Sequence, residues 1–429
     1  MNAEIIAVGT ELLLGDILNT NARFLSRELA ALGINVMHQH VVGDNHQRLK
    51  ELVLAAKERS DLLVFSGGLG PTADDLTKET VAECYGDTLE FDPEEWDKIT
   101  GFFTALGRPT PENNRKQAMV PCHGKKLPNK NGTAPGAWFQ QGEKIAVLLP
   151  GPPRELEPLW QEQVRPLLEQ RQDCVLRSLV LRVAGVGESD AEARVGHLFQ
   201  NANPTAAIYA KTGEVVIRIT ARAEKEEKAL ALCREYAQKF YAILGDAIYA
   251  EGEEEIQHTL VKLLAQKGLT LATAESCTGG MVAQSITDVP GASQVFGFGF
   301  VTYANQAKEK LLGVEPRILQ AHGAVSSQTA AQMAFGAMAA AGADVGLSTT
   351  GLAGPGGGTP QKPVGLVYLA VAQGDTVYVK RLMCKNRGRD VVRRRTVQAV
   401  LDLARRVVQG LPTPDAQCFA RGVDAALEQ

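Results

Sequence analysis

At both ends of this chain, short apolar runs stop abruptly at glycine or serine and give way to segments with helical spacing. Residues 3–9 (AEIIAVG) and 61–66 (DLLVFS) are such runs, with helical patterns over 20–33 and 46–58 between them. Strands that alternate with helices predict a parallel sheet covered on both faces. The alternation returns from residue 269: LTLATAE, GGMVAQSITDV, FGFGFVTY, an alanine-rich helix at 327–341, DVGLSTTG and GLVYLAVA. The fold class is therefore α/β, with two α/β domains. Between them the pattern loosens. Prolines in LPGPPRELEPLW (149–160) end the first domain near residue 170, and a smaller α+β unit follows. Its expected strands cover 178–184 and 214–222, and its helices 189–200 and 224–243. The acidic EGEEE (251–255) reads as a solvated linker or first helical turn before a helix at 256–267.

The 429 residues, 45% hydrophobic and 22% charged, leave room for about three domains with substantial cores. Forty-five basic residues against 49 acidic ones give a net charge of −4, which supplies no overall field for nucleic acid or an anionic membrane. An anionic ligand has to be held locally. The first residues carry no basic run ahead of an apolar one, and no stretch approaches 18 uninterrupted apolar residues, so a cytoplasmic location is expected. Cysteines at 84, 122, 174, 233, 277, 384 and 418 are scattered without a C-x-x-C pair, and are expected to be reduced thiols.

In ATAESCTGGM (272–281), Glu275, Ser276 and Cys277 sit where a strand ends and a helix begins. In open α/β sheets ligands bind at that end, and free backbone N–H groups there suit a phosphate or an oxyanion. An N-cap serine beside a packed cysteine is the plainer alternative. A nucleophilic serine needs a base, yet the nearest downstream histidine, His322, lies in the loop QAHGAVSS, so no local Ser-His pair is visible. FVTYANQAKEKLLGV (300–314) instead offers Tyr303 and Lys308 at a strand end and helix start. A desolvated lysine can serve as base to a serine. The glycine loop TTGLAGPGGGTPQKPVG (349–365) adds a wall without side chains, or is a plain turn.

The first domain carries SGGLGPTADDLTKE (66–79), whose Gly67, Gly68 and Gly70 suit a phosphate while Asp74 and Asp75 repel one. A divalent cation bridging carboxylate and phosphate removes the conflict. Acids complementing a helix macrodipole are the equal alternative. Asp44, in VVGDN, faces the same crevice after the preceding strand, and RPTPENNRKQAMVP, GTAPG and LPGPP supply further loops. None resembles a Walker loop.

Taken together, AESCTGG, GFVTYANQAKEKLLGV, HGAVS, and TGLAGPGGG with KPVG resemble the nicotinamide mononucleotide deamidase domain of CinA proteins. The resemblance implies Ser276 as nucleophile, with Lys308 and Tyr303 as proton-transfer partners. It assigns substrate binding to Thr278, Gly279, Gly280, Gly351, Gly354, Gly356 and Arg389, and needs no cofactor there. Glu275 then shapes the turn and Cys277 is a neighbour. Ala304 stands where many relatives have serine. In KNRGRDVVRRRT (385–396), Arg389 or Arg393 is a candidate for the substrate phosphate.

The N-terminal motifs, with VGTELLLGDILNTN, resemble the molybdopterin-binding-like domain of the same family, in which Asp44 and Asp75 match metal-binding acids. That resemblance implies a divalent cation (Mg, Mn or Co) and ADP-ribose pyrophosphatase activity. The middle region resembles the CinA KH-like domain, but among glycines 185, 187, 196, 213 and 245 no two are three apart, so the RNA-clamping GXXG is missing. Packing or dimer contacts, within a homodimer, are expected of it instead. The expected domains are 1–170, 171–250 and 256–415. The rival reading is a pterin-binding or competence-associated scaffold that binds without turnover.

Overall fold

The computed structural model describes residues 1–171, 174–384 and 388–427. The first three residues of the basic stretch 385–396 therefore lie outside the described residues. The chain falls into two compact units, Met1–Arg177 with Ala221–Leu230, and Ser178–Thr220 with Ala231–Gln429.

The first unit is built on β1 (Asn2–Val8), β2 (Asn35–Val42), β3 (Leu62–Ser66), β6 (Lys125–Leu127), β7 (Gly136–Gln141) and β8 (Lys144–Leu149), with a separate pair β4 (Leu89–Phe91) and β5 (Met119–Pro121). The sheet runs β2-β1-β3-β8-β7-β6. Its first four strands are parallel, as the alternation implies, but β6, β7 and β8 form an antiparallel meander. The two-residue link Gly142-Glu143 makes β7–β8 a hairpin, a signal that strand–helix alternation does not contain. Period-two alternation sends Ile5, Leu62 and Val64 to one face and Ile6, Leu63 and Phe65 to the other. Leu25 and Leu29 of the helix Thr20–Ala31 cover the first face, and Leu49 and Val53 of the helix His46–Arg59 the second. One buried charge interrupts β1. Glu4 accepts two bonds from Arg59 at 2.7 Å and one from Ser60 at 2.8 Å, and pairs with the His40 ring at 2.7 Å. Burial pushes its carboxyl up, but these bonds outweigh burial and hold it at about 2.

The middle region forms a four-stranded sheet, β10-β11-β9-β12, from β9 (Val175–Ala184), β10 (Thr205–Lys211), β11 (Glu214–Ala223) and β12 (Ile248–Glu251). Strands β9 and β11 match the sequence expectation. β10 and β12 do not appear in it: TAAIYAK has little alternation, and IYAE is only four residues long.

The C-terminal region has β13 (Leu271–Glu275), β14 (Phe296–Val301), β15 (Val345–Gly351), β16 (Leu366–Gln373), β17 (Thr376–Met383) and β18 (Ala416–Ala420), in the order β14-β13-β15-β16-β17-β18. Only β14, β13 and β15 are parallel, and the remainder continue as antiparallel neighbours. The helix Ser327–Ala341 is alanine-rich because it lies close on small residues: Ala330 and Ala334 pack on Ala370 and Ala372.

Candidate active sites

β13 ends at Glu275, and the chain turns through Ser276–Gly279 before the helix Met281–Thr287. Glu275 is 1% exposed, and its carboxylate accepts the N–H groups of Gly280, Val282 and Ala283 at 2.9, 3.0 and 2.8 Å. The helix N–H groups expected to be open to an anion are thus taken internally. Gly279 N–H closes the turn on the Ser276 carbonyl at 3.2 Å, and Ser276 N–H reaches the Thr349 carbonyl at 2.9 Å. The buried Thr278 hydroxyl lies 2.7 Å from that of Thr349. The N–H groups of Cys277 and Thr278 donate to no other residue among those described.

Lys308, in the helix Asn305–Leu312, is 0% exposed. Its Nζ stands 3.4 Å from Ser276 Oγ, 2.7 Å from the Thr302 carbonyl and 3.3 Å from the Tyr303 carbonyl. Burial holds its ammonium below the ordinary lysine range, with Cys277 acting in the opposite direction. A neutral amine can give two N–H groups to the two carbonyls and turn its lone pair to the serine. Cys277 is 5% exposed and packed in the core, where burial pushes its thiol up to about 12. The thiol is therefore protonated and turned inward, which favours the serine.

Tyr303 is 62% exposed, and its hydroxyl meets Arg389 Nη2 at 3.3 Å rather than Ser276. Arg389 Nη1 donates to the Gly354 carbonyl at 3.0 Å, so this arginine ties the glycine loop to Tyr303. Gly356 faces open space, whereas a Cβ at Gly351 would collide with the Leu366 carbonyl, so Gly351 answers to packing. The His322 carbonyl accepts from Lys362 Nζ at 2.6 Å. Arg393 Nη2 donates to the Thr278 carbonyl at 2.6 Å, a contact the sequence reading did not foresee. Its signal was the four-residue spacing of Arg389 and Arg393, which puts both on one helix face.

In the first unit a cleft of about 650 Å³ opens at the C-terminal ends of β1, β3 and β8. Asp44, Gly67, Gly68, Gly70, Asp74 and Asp75 all line it. Gln117, Thr133 and Pro150 from the three polar loops line it too, as do Asn21 and Glu155, which sequence reasoning missed. Asn21 Nδ2 joins two walls through Ser66 Oγ at 2.8 Å and the Gly151 carbonyl at 2.7 Å. Gly67 and Gly68 have φ of +101° and +68°, and side chains there would strike the Val8 carbonyl and the Thr77 hydroxyl. Gly67 N–H is already bound to the Leu149 carbonyl at 3.0 Å. Close packing therefore requires these two glycines.

Asp44 Oδ2 accepts from Thr10 N–H at 2.9 Å and its hydroxyl at 2.8 Å. Asp75 Oδ2 is bound in the same way by Thr72, at 2.9 and 2.5 Å. Each keeps Oδ1 without a donor among the described residues, where no group of three or more His, Cys, Asp or Glu is arranged to hold a metal. Each such Oδ1 is a hard oxygen of the kind a magnesium-like cation prefers. Among the described residues, no helix is long and apolar enough to cross a membrane.

Residues 253–408 match the model of the CinA C-terminal domain, 4–170 that of a probable molybdopterin binding domain, and 178–250 that of the damage-inducible protein CinA KH domain. A putative competence-damage inducible protein of Caldanaerobacter subterraneus is 50% identical over 96% of this chain and 99% of its own length. The chain belongs to the CinA family. Its relative in Thermoanaerobacter pseudethanolicus, also a putative competence-damage inducible protein, is 49% identical over 96% of this chain and 99% of its own. A solved competence/damage inducible protein of Agrobacterium tumefaciens is 43% identical over 34% of this chain and 90% of its own, with a TM-score of 0.34. The expected order of a molybdopterin-like, a KH and a CinA C-terminal region thus holds.

Proposed function

We propose that the C-terminal region is an amidohydrolase that converts nicotinamide mononucleotide to nicotinate mononucleotide and ammonia. The observation that carries this reading is the buried Lys308 Nζ, 3.4 Å from Ser276 Oγ. As Ser276 Oγ attacks the carboxamide carbon, its proton passes to Lys308, and the carbonyl oxygen becomes an oxyanion facing the N–H groups of Cys277 and Thr278. Collapse of the tetrahedral intermediate breaks the C–N bond, and Lys308 returns the proton to the leaving amine, releasing ammonia. Water then attacks the serine ester, giving one proton to Lys308, which passes it to Ser276 Oγ as the C–O bond to the serine breaks. The acid released loses its remaining proton to solvent, leaving the carboxylate, the serine hydroxyl and a neutral Lys308. Glu275 holds the turn, and Arg389 orders Tyr303 and the glycine loop beside it.

The N-terminal cleft is read as an ADP-ribose pyrophosphatase site yielding AMP and ribose 5-phosphate. Asp44 and Asp75 would hold a divalent cation, which when bound neutralises phosphate charge. The loops around Gly67–Gly70 and Pro150–Pro153 shape the cleft for the nucleotide.

Incubating the purified chain with each nucleotide, with and without a divalent cation, tests both activities. Ammonia from nicotinamide mononucleotide independent of cation, and AMP from ADP-ribose only with cation, are expected. Binding of both ligands without any product would support the scaffold reading instead.

A further inference from the structure

We propose that Arg393 is a positioning residue for the amidase reaction, holding the Ser276–Gly279 turn so that the N–H groups of Cys277 and Thr278 form its oxyanion pocket. The proposal rests on the amidase reading above. Arg393 Nη2 donates to the Thr278 carbonyl at 2.6 Å, a charge-assisted bond. That carbonyl shares a peptide unit with Gly279 N–H, which closes the turn on the Ser276 carbonyl at 3.2 Å. Polarising one end of the unit strengthens the bond at the other. Gly279 has φ +59°, and a side chain there would come within 3.4 Å of Nη2, so the guanidinium lies against the turn itself.

The turn's own bonding leaves little else to aim at an oxyanion. Ser276, Gly279 and Gly280 N–H groups are spent on Thr349, Ser276 and Glu275, leaving those of Cys277 and Thr278. Arg393 is also badly placed to clamp a substrate phosphate. Nη2 already donates to the Thr278 carbonyl and Nε is buried without a partner among the described residues, so the Nε–Nη2 side of the guanidinium is turned into the protein and not toward a phosphate. A buried donor left unpaired is a cost that a surface arginine avoids by turning to water. Arg389, one helical turn earlier, does different work on Tyr303 and Gly354.

The test compares Arg393→Gln and Arg393→Lys with the wild-type chain in three assays, after confirming unchanged thermal unfolding. These are kcat and KM for nicotinamide mononucleotide, the same constants for nicotinamide riboside, which lacks the phosphate, and the rate at which a fluorophosphonate labels Ser276. Arg393→Gln should lower kcat on both substrates alike by about 10- to 100-fold. KM should stay within about threefold, labelling should slow in parallel, and Arg393→Lys should recover part of each loss. A loss confined to the phosphorylated substrate, or carried mainly by KM, would make Arg393 a phosphate ligand and overturn the proposal. Unchanged rates in Arg393→Gln would overturn it too. A wild-type chain that is labelled at Ser276 but releases no ammonia would remove the substrate reading alone. The labelling rates would then decide Arg393, with equal labelling in Arg393→Gln counting against it. A wild-type serine that cannot be labelled and releases no ammonia would overturn both.

Discussion

Lys308 Nζ and Ser276 Oγ face each other at 3.4 Å, with the other bonds of the lysine committed to the Thr302 and Tyr303 carbonyls. A lysine works as a base only when deprotonated, and burial lowers the pKa of this one. The fraction of competent amine therefore rises with pH and becomes large below the ordinary lysine value of about 10.4. A pH profile of kcat/KM for nicotinamide mononucleotide should show an acid limb whose midpoint lies below that value. A midpoint at the ordinary value would contradict the desolvated base.

Ser276→Ala is expected to reduce ammonia release by at least about 10³-fold, since the nucleophile is removed. ADP-ribose cleavage should stay near wild type, because the cleft that supports it is built from other residues. Cys277→Ala, which removes a buried thiol but no backbone N–H, should keep most of the deamidase rate. Steady-state assays of both variants on both substrates check this. Reversed effects would make the thiol the nucleophile.

Asp75→Asn exchanges a charged oxygen for a neutral amide of similar volume and should weaken cation-dependent ADP-ribose cleavage about 10- to 100-fold. The apparent cation affinity, measured by titration of activity, should fall as well. Full activity of this variant, or of wild type in chelator, would count against the two-carboxylate site.

Glu4 offers a prediction about stability. Its folded-state carboxyl is held at about 2, below its unfolded value of about 4.3. Its contribution is therefore fully present above about pH 4.3 and is lost as pH falls toward 2. Glu4→Gln should destabilise the first unit by about 1–3 kcal/mol at pH 7, discounted because Arg59 is partly exposed. It should also flatten the stability curve between those pH values. Trp96, Trp138 and Trp160 are the chain's three tryptophans and all precede residue 171, so denaturation followed by tryptophan fluorescence reports on this unit. Equal pH dependence in both proteins would remove Glu4 as a source of acid sensitivity.

Whereas the parallel edge strands β2 and β14 are largely exposed, the central parallel strands β3 and β13 were legible because both of their faces are buried, as in LLVFS and LATAE. The antiparallel additions β7, β10, β17 and β18 were not: they pair through short links or after long helices, and strand–helix alternation contains no sign of them. At the sites, strand ends drew attention to Ser276, Lys308, Asp44 and Asp75 with plainer alternatives left open, and the family resemblance supplied the roles expected of them. Bonds across long sequence separations were invisible. Arg393 holding Thr278, Thr349 receiving Ser276, and Asn21 bridging Ser66 and Gly151 depend on which strands become neighbours. The Tyr303 phenol on Arg389 is another such case, since strand order and not residue type decides where that side chain ends.

The central claim, that Lys308 is the base for Ser276, is tested most directly by the deamidation rate of Lys308→Arg beside Lys308→Ala. Arginine keeps the positive charge but does not deprotonate in a protein, so a base role predicts that both variants lose about 10²- to 10⁴-fold while ADP-ribose cleavage persists. Retention of about half the wild-type rate by Lys308→Arg would contradict it, leaving the lysine as a charge that holds substrate.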